Sequence, residues 1–267
     1  VENRLLIDLI TEMINMFIQK DRGNILSGSN VKIFELPLIG VADAKDSLFK
    51  ELKKEKIVGP FHCMPSDWLK RPVSVFSYFL PFTSEVCRSN LAGKQASVEW
   101  MFGRFYGEVL NDRIRRMLVE CFRIRGISAV APALESGYVV EGYKSNWSER
   151  HVAFIAGLGT FGKNRGFITN KGMAGRLGSV VTSGKLEVTP RKYNQHMEYC
   201  LEYNNGCCEI CFTRCPIGAL SPQGKDIKLC SEDRKHRRGI PVRREYGFPF
   251  SPCGKCYVGI PCSRKKP

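Results

Sequence analysis

The sequence predicts an α+β protein in two parts, an α/β domain over residues 1–192 and a smaller, loop-rich domain over residues 193–267. Three observations carry this. Helical and strand-like apolar periodicities alternate up to about residue 190 and then fade. Nine of the 12 cysteines fall in the last 68 residues. With 267 residues, 43% of them apolar and 25% charged, the chain can bury a core without cross-links, and its composition excludes disorder and collagen-like structure. The cysteines therefore need a role other than holding the fold together.

Leu5, Leu6, Leu9, Ile10, Met13, Ile14 and Phe17 recur at three and four, so the N-terminal segment reads as an amphipathic helix. KIFELPLIGVA reads as a strand and DSLFKELKKE as a charged helix. Pro60, Pro65 and Pro72 interrupt the next stretch before VSVFSYFLPF, whose Val and Phe content suits a buried strand. Residues 97–125 return to helical spacing, with Trp100, Phe105, Val109, Ile114, Met117, Leu118 and Cys121 as expected core positions. ISAVAPAL and RLGSVVTS read as strands, and SERHVAFIAGL between them as a helix. The domains fit a two- or three-layer α/β body followed by a metal-nucleated one.

The opening VENRLLIDLITEMINMFIQK mixes charges with apolar residues and has no signal-peptide core. No stretch is long and apolar enough to cross a membrane. The expected location is the cytoplasm, where clustered thiols stay reduced and hold metal. Cys63, Cys87 and Cys121 lie scattered in apolar contexts and read as buried hydrophobes.

The remaining cysteines form two groups. Cys200-x7-Cys208-x2-Cys211-x3-Cys215-Pro216 ends in C-x2-C-x3-C-P, the signature of a bacterial-type 4Fe-4S site, in which the Cys before Pro reaches across to a second cluster. Cys230 and Cys253-x2-Cys256-x5-Cys262 complete eight thiolates, enough for two 4Fe-4S clusters. Crossed as in two-cluster ferredoxins, Cys200, Cys208, Cys211 and Cys262 hold one, and Cys215, Cys230, Cys253 and Cys256 the other. Cys207 is an open alternative to Cys200. Tetrahedral zinc also uses C-x2-C pairs, but zinc ribbons rarely carry the C-x3-C-P ending. Two clusters in one small domain point to one-electron relay, which needs a terminus in the larger domain.

GLGTFG at residues 157–162 matches G-x-G-x-x-G letter for letter. The dinucleotide fingerprint must follow a strand and open a helix, whereas this one follows the helical SERHVAFIA and precedes the strand-like GFIT. It reads instead as a glycine-rich loop that lets backbone approach something large and flat, or as a tight turn.

The stretch SNWSERHVAFIAGLGTFGKNRGFITNKGMAGRLGSVVTS, with GRFYGEVLNDRIRRM before it and both cysteine groups after it, resembles the epoxyqueuosine reductase family and its iron–sulfur relatives over about residues 70–267. The resemblance implies a cobalamin-processing, nitroreductase-like N-terminal domain shared with reductive dehalogenases, joined to a ferredoxin-like domain. In those families two 4Fe-4S clusters feed a base-off cobalamin, and epoxyqueuosine reductase removes the epoxide oxygen from a modified tRNA wobble base. On this resemblance Ser148, His151, Gly157, Gly159, Thr160, Phe161, Gly162, Lys163 and Asn164 form the expected cobalamin cradle. The family's proton-donating Asp is replaced within ALESGYVVE, where Glu135 and Tyr138 are the nearest candidates. The family's C-terminal helical-repeat extension is not in this sequence. A reductase or activase of a small molecule or of a corrinoid partner, and an electron-transfer protein with no active site of its own, are the other readings.

The formal charge is +15, with 41 Lys and Arg against 26 Asp and Glu. Much of the excess lies in EDRKHRRGIPVRREYGF and SRKKP within the cysteine domain. Such a surface suits an acidic ferredoxin or flavodoxin as electron donor, or tRNA phosphates.

Overall fold

The computed structural model describes residues 2–267. Its centre is a four-stranded sheet of β1 (Leu38–Asp43), β2 (Ser74–Pro81), β3 (Ala129–Val130) and β8 (Gly175–Thr182), in the order β1-β2-β8-β3. Every pairing is antiparallel, with Phe76 opposite Val41 on one side and Val180 on the other. The domain is thus α+β rather than wound from βαβ units. β2 is buried at all eight positions, as its unbroken apolar run predicts for a central strand covered on both faces.

The two faces bury different cores. Val41, Phe76, Tyr78, Leu80 and Val180 pack under α1 (Glu2–Lys20) and α5 (Val98–Ile124), against Ile10, Ile14, Ile114 and Leu118. Ala42, Val75 and Val181, one residue out of phase, face the other side. There they meet Phe49 of α2 (Ser47–Glu51), Val152 and Ile155 of α6 (Glu149–Ile155), and Trp147. This is the period-two alternation of strands covered by helices on both faces. Short helices α3 (Pro65–Trp68) and α4 (Ser84–Ser89) and a two-residue ribbon of β4 (Val140–Glu141) with β5 (Lys144–Ser145) complete this part.

Ser97 caps α5 by accepting the Trp100 amide at 3.2 Å, and the helix runs 27 residues. Trp100, Ile114, Leu118 and Cys121 are buried as the spacing predicts, but Val109 is 58% exposed and Leu110 takes the core position. Phe105 and Met117 are only partly buried. The stretch ISAVAPAL forms two strand residues and then a 3-10 turn over Pro132–Leu134, because Pro132 lacks the amide a ladder needs. Cys87 and Cys121 are core residues, while Cys63 is half-buried.

Beyond β8 the chain runs without regular structure to α7 (Leu201–Asn205) and α8 (Ile210–Thr213), then through the ribbon of β9 (Leu220–Ser221) and β10 (Gly224–Lys225). α9 (Ile227–Glu232) and α10 (Gly239–Tyr246) follow, joined by a π-helical turn over Asp233–Arg237. Among the described residues no helix is long and apolar enough to cross a membrane.

His62 sits in the second core, 0% exposed, stacked on Trp147 at 5.9 Å, with Nε2 accepting the Ser148 amide at 3.2 Å. Burial pushes its imidazole down to about 4 from 6.5. The unfolded chain therefore binds a proton that the folded chain refuses, so this contribution is complete above pH 6.5 and is lost as pH falls towards 4. His62→Phe should flatten the fall in urea-unfolding free energy over that window by about 3 kcal/mol, measured by fluorescence at half-unit pH steps.

Candidate functional site

The structure brings the eight predicted thiols together in two sets. Cys200, the residue before α7, lines a narrow pocket with Cys208, Cys211 of α8 and Cys262. Burial, reinforced by the neighbouring thiols, pushes Cys211 and Cys262 up to about 12. Cys207 is exposed and does not line that pocket. Cys215, Cys230, Cys253 and Cys256 line one end of a second, larger cavity of about 620 Å³. There burial pushes Cys256 up to about 11, with Lys225 opposing and the other three thiols adding to the rise. Four thiols that suppress one another's ionisation need a cationic centre to become thiolates together.

Among the described residues no three His, Cys, Asp or Glu side chains close on a position for a single ion. A cubane spreads its four ligands wider than one ion does, because each sulfur meets a different iron. Each set supplies four thiols, the number such a cluster takes.

The glycine motif is a hairpin. β6 (Gly159–Phe161) pairs with β7 (Phe167–Thr169), and a Cβ at Gly159 would overlap the Ile168 carbonyl, so only glycine lets the strands meet. Its far end meets the cysteine domain. Thr160 accepts the Tyr199 amide at 2.9 Å, Lys163 donates to the Pro222 carbonyl at 2.9 Å, and Asn164 donates to the Cys256 carbonyl at 2.6 Å. Gly162, Lys163 and Asn164 border the pocket of the first thiol set. The "something large" approached by this loop is thus the first thiol pocket rather than the main cavity, which Gly157, Gly159, Thr160 and Phe161 do not line either. His151 bonds Ser148 Oγ at 2.7 Å, and burial beside Arg150 lowers it to about 3. Of the expected cradle only Ser148 reaches the main cavity. Of the two expected proton donors Tyr138 lines it, raised by burial, whereas Glu135 is exposed and off it.

Sequence reasoning missed the charged wall of this cavity. Arg104, Glu108, Asp112 and Arg115 recur at four, four and three along α5 and so share one face. Arg115, its side chain 3% exposed, donates to Glu108 at 2.9 Å, Asp112 at 2.6 Å and Glu149 at 3.2 Å. Arg176 of β8 also pairs with Glu108. Burial alone would raise Glu108, but Arg176, Arg115 and Arg104 hold it at about 2. Glu149 differs: burial raises it, while Arg115 and the Ser179 hydroxyl, which donates at 2.6 Å, pull the other way. The signal in GRFYGEVLNDRIRRM was the repeating charged stripe, which resembles a solvated face until β8 and α6 cover it. Phe79, Phe82, Trp100 and Leu177 give the cavity an apolar wall.

No family model matches the chain, and no curated protein matches it. Solved structures do. An epoxyqueuosine reductase from Streptococcus thermophilus is 17% identical with a TM-score of 0.50, covering 98% of this chain and 68% of its own. The catabolic reductive dehalogenase NpRdhA is 11% identical with a TM-score of 0.55, covering 86% of this chain and 30% of its own. A second reductive dehalogenase, described with a mechanism for B12-dependent dehalogenation, is 12% identical at 0.50, covering 86% and 34%. The chain has the fold of epoxyqueuosine reductases and reductive dehalogenases. It spans about two-thirds of the former's length and about a third of the latter's.

Against the expected cobalamin, the cavity has an apolar wall for a flat ring but only the volume of a drug-sized ligand site, part of it over the thiols. Its opposite wall is the ion network of Glu108, Asp112, Arg115 and Arg176. Of the residues the resemblance expects around a cobalamin, only Ser148 lines this cavity.

The thiols are held over this cavity by one turn. Gly254 has φ +70°, and a Cβ there would overlap the Trp100 indole. Gly254→Ala should therefore displace Cys253 and Cys256 and speed their alkylation by iodoacetamide, read by peptide mass spectrometry.

Proposed function

We propose that this chain is an iron–sulfur oxidoreductase that delivers electrons to an acceptor bound in the cavity between α5, β8 and the second thiol set. The fold is one of reductases, and the observation that carries the reading is that four thiols and a charged, apolar-walled cavity share one volume. Cys200, Cys208, Cys211 and Cys262 would hold one 4Fe-4S cluster, and Cys215, Cys230, Cys253 and Cys256 the other. Such clusters, when bound, supply one-electron relay. The protein's part is to set entry, exit and protons. The first set lies beside exposed Tyr203, Cys207 and Ile210, the entry side. Exposed Lys235, Arg237, Arg243 and Arg244 suit an acidic ferredoxin or flavodoxin docking beside the cysteine domain. At the exit, Glu149 and Tyr138 face the cavity, and Glu149 keeps a proton to higher pH than a free carboxyl.

Cobalamin as the acceptor is a second reading, supported by the B12-dependent mechanism described for a neighbour. A tRNA substrate is suggested by the epoxyqueuosine reductase fold, but arginines recessed in a cavity of about 620 Å³ suit a compact ligand better than a polynucleotide backbone.

The test is to purify the protein without oxygen, incubate it with cobalamin, desalt it and count metals. About eight iron per chain supports the relay; zinc in its place contradicts it, and retained cobalt shifts the acceptor to cobalamin. Cys207→Ser should keep all the iron and Cys200→Ser should lose about half. With a reducible acceptor in hand, Glu149→Gln should lower turnover at least tenfold in stopped-flow assays, with iron content unchanged.

A further inference from the structure

The cavity's charge is unbalanced in one corner. Arg115 is answered by Asp112 and Glu149, and Arg238 by Asp233 at 2.9 Å. Glu108 alone then faces both Arg176 and Arg104, and Arg104 stands 3.8 Å from it, beyond hydrogen-bond reach. Among the described residues Arg104 donates to nothing, although its side chain is only 29% exposed. Arg234, brought to the same cavity by the π-helical turn, uses Nε on the Ser251 carbonyl at 2.9 Å and stacks on Phe250 at 4.7 Å. Arg104 approaches the same ring at 5.9 Å. Burial, and the charges of Arg176 and Arg234, lower Arg104 to about 9. A partly exposed guanidinium whose donors reach only water and one carboxylate at 3.8 Å, beside two like charges, is open to an added acceptor.

We infer that Arg104, Arg176 and Arg234 form a binding site for a small oxyanion, a phosphate or carboxylate group carried by the compound reduced in this cavity. A planar fork donating in parallel suits either group; Arg104 and Arg176 share Glu108, and Arg234 pairs with no carboxylate among the described residues, which leaves room for one more negative charge. The second thiol set borders the same cavity, so a compound anchored by its anionic end at α5 extends its remainder towards the thiols past Trp100 and Phe82. This names the acceptor class on the oxidoreductase reading, but the anion site stands or falls by binding, without any electron transfer.

Inorganic phosphate and acetate, each titrated calorimetrically into the iron-loaded protein at constant chloride, should show one saturable site per chain for at least one of the two. Arg104→Gln should weaken that binding at least tenfold, while Arg123→Gln, 71% exposed and distant on the same helix, should leave it unchanged. In the wild-type protein the bound anion should also protect Arg104 and Arg234, but not Arg123, from phenylglyoxal, read by peptide mass spectrometry. This second measurement does not depend on a variant folding. Equal binding by wild type and Arg104→Gln, no binding of either anion, or protection by a short oligoribonucleotide alone would each overturn the inference. Loss of iron with anion binding intact would instead count against the relay and leave the anion site standing.

Discussion

The arrangement depends on how one loop of the larger domain grips the Cys253–Cys256 turn. Lys255, 2% exposed, donates to the Asn90 carbonyl at 2.9 Å and the Ala92 carbonyl at 2.6 Å. Asn90 returns a bond to the Cys253 carbonyl at 2.9 Å, and Trp100 covers Gly254. A buried ammonium is costly unless its protons are taken up, and here two carbonyls turned inward by residues 90–92 do so. Cys253 itself has φ +27°, unusual for a residue with a Cβ, and these contacts hold it there. They fix two thiols against α5 and so decide that the cysteine domain and the cavity form one site.

The second determinant is electrostatic. Arg115 is buried with three carboxylates around it, and Glu108 is shared with Arg176 across the sheet. Such a network contributes little net stability, because desolvation offsets much of the attraction. Its effect is positional: it fixes the facing sides of α5, α6 and β8, leaves Arg104 without a full partner, and depresses Glu108, while burial raises Glu149 against the pull of Arg115. Two carboxylates on one wall thus differ in proton affinity. Around the second thiol set the protein adds further positive charge, with Arg238 donating to Cys253 Sγ at 3.3 Å.

Much of this was legible in the sequence. The buried run SVFSYFLP, the long helix after Ser97, and the cysteine spacing each follow from local rules that tertiary structure did not override. The chain's thiols gather in the two crossed sets that C-x3-C-P implies, and exposure separates Cys207 from Cys200 where spacing could not. The failures share a cause. Val109 and Leu110 are adjacent and equally apolar, and only the packing of α5 on the sheet decides which turns inward. GLGTFG has the composition of a ligand loop, but its glycines serve strand contact and docking of the cysteine domain. Arg104 and Arg115 look like a solvated stripe, because sequence periodicity cannot report that β8, 60 residues later, will cover the face. Arg234 and Arg238 sit in a basic run that reads as surface, yet the π-helical turn carries them inward while Lys235 and Arg237 stay exposed.

The proposed relay requires two iron–sulfur clusters, one of them bordering the arginine-walled cavity. Anomalous diffraction at the iron edge from anaerobically grown crystals tests it directly. Two iron centres per chain are expected, one among Cys200, Cys208, Cys211 and Cys262, and one among Cys215, Cys230, Cys253 and Cys256 facing Trp100. A single centre, zinc scattering in place of iron, or a centre that engages Cys207 in place of Cys200 would contradict it.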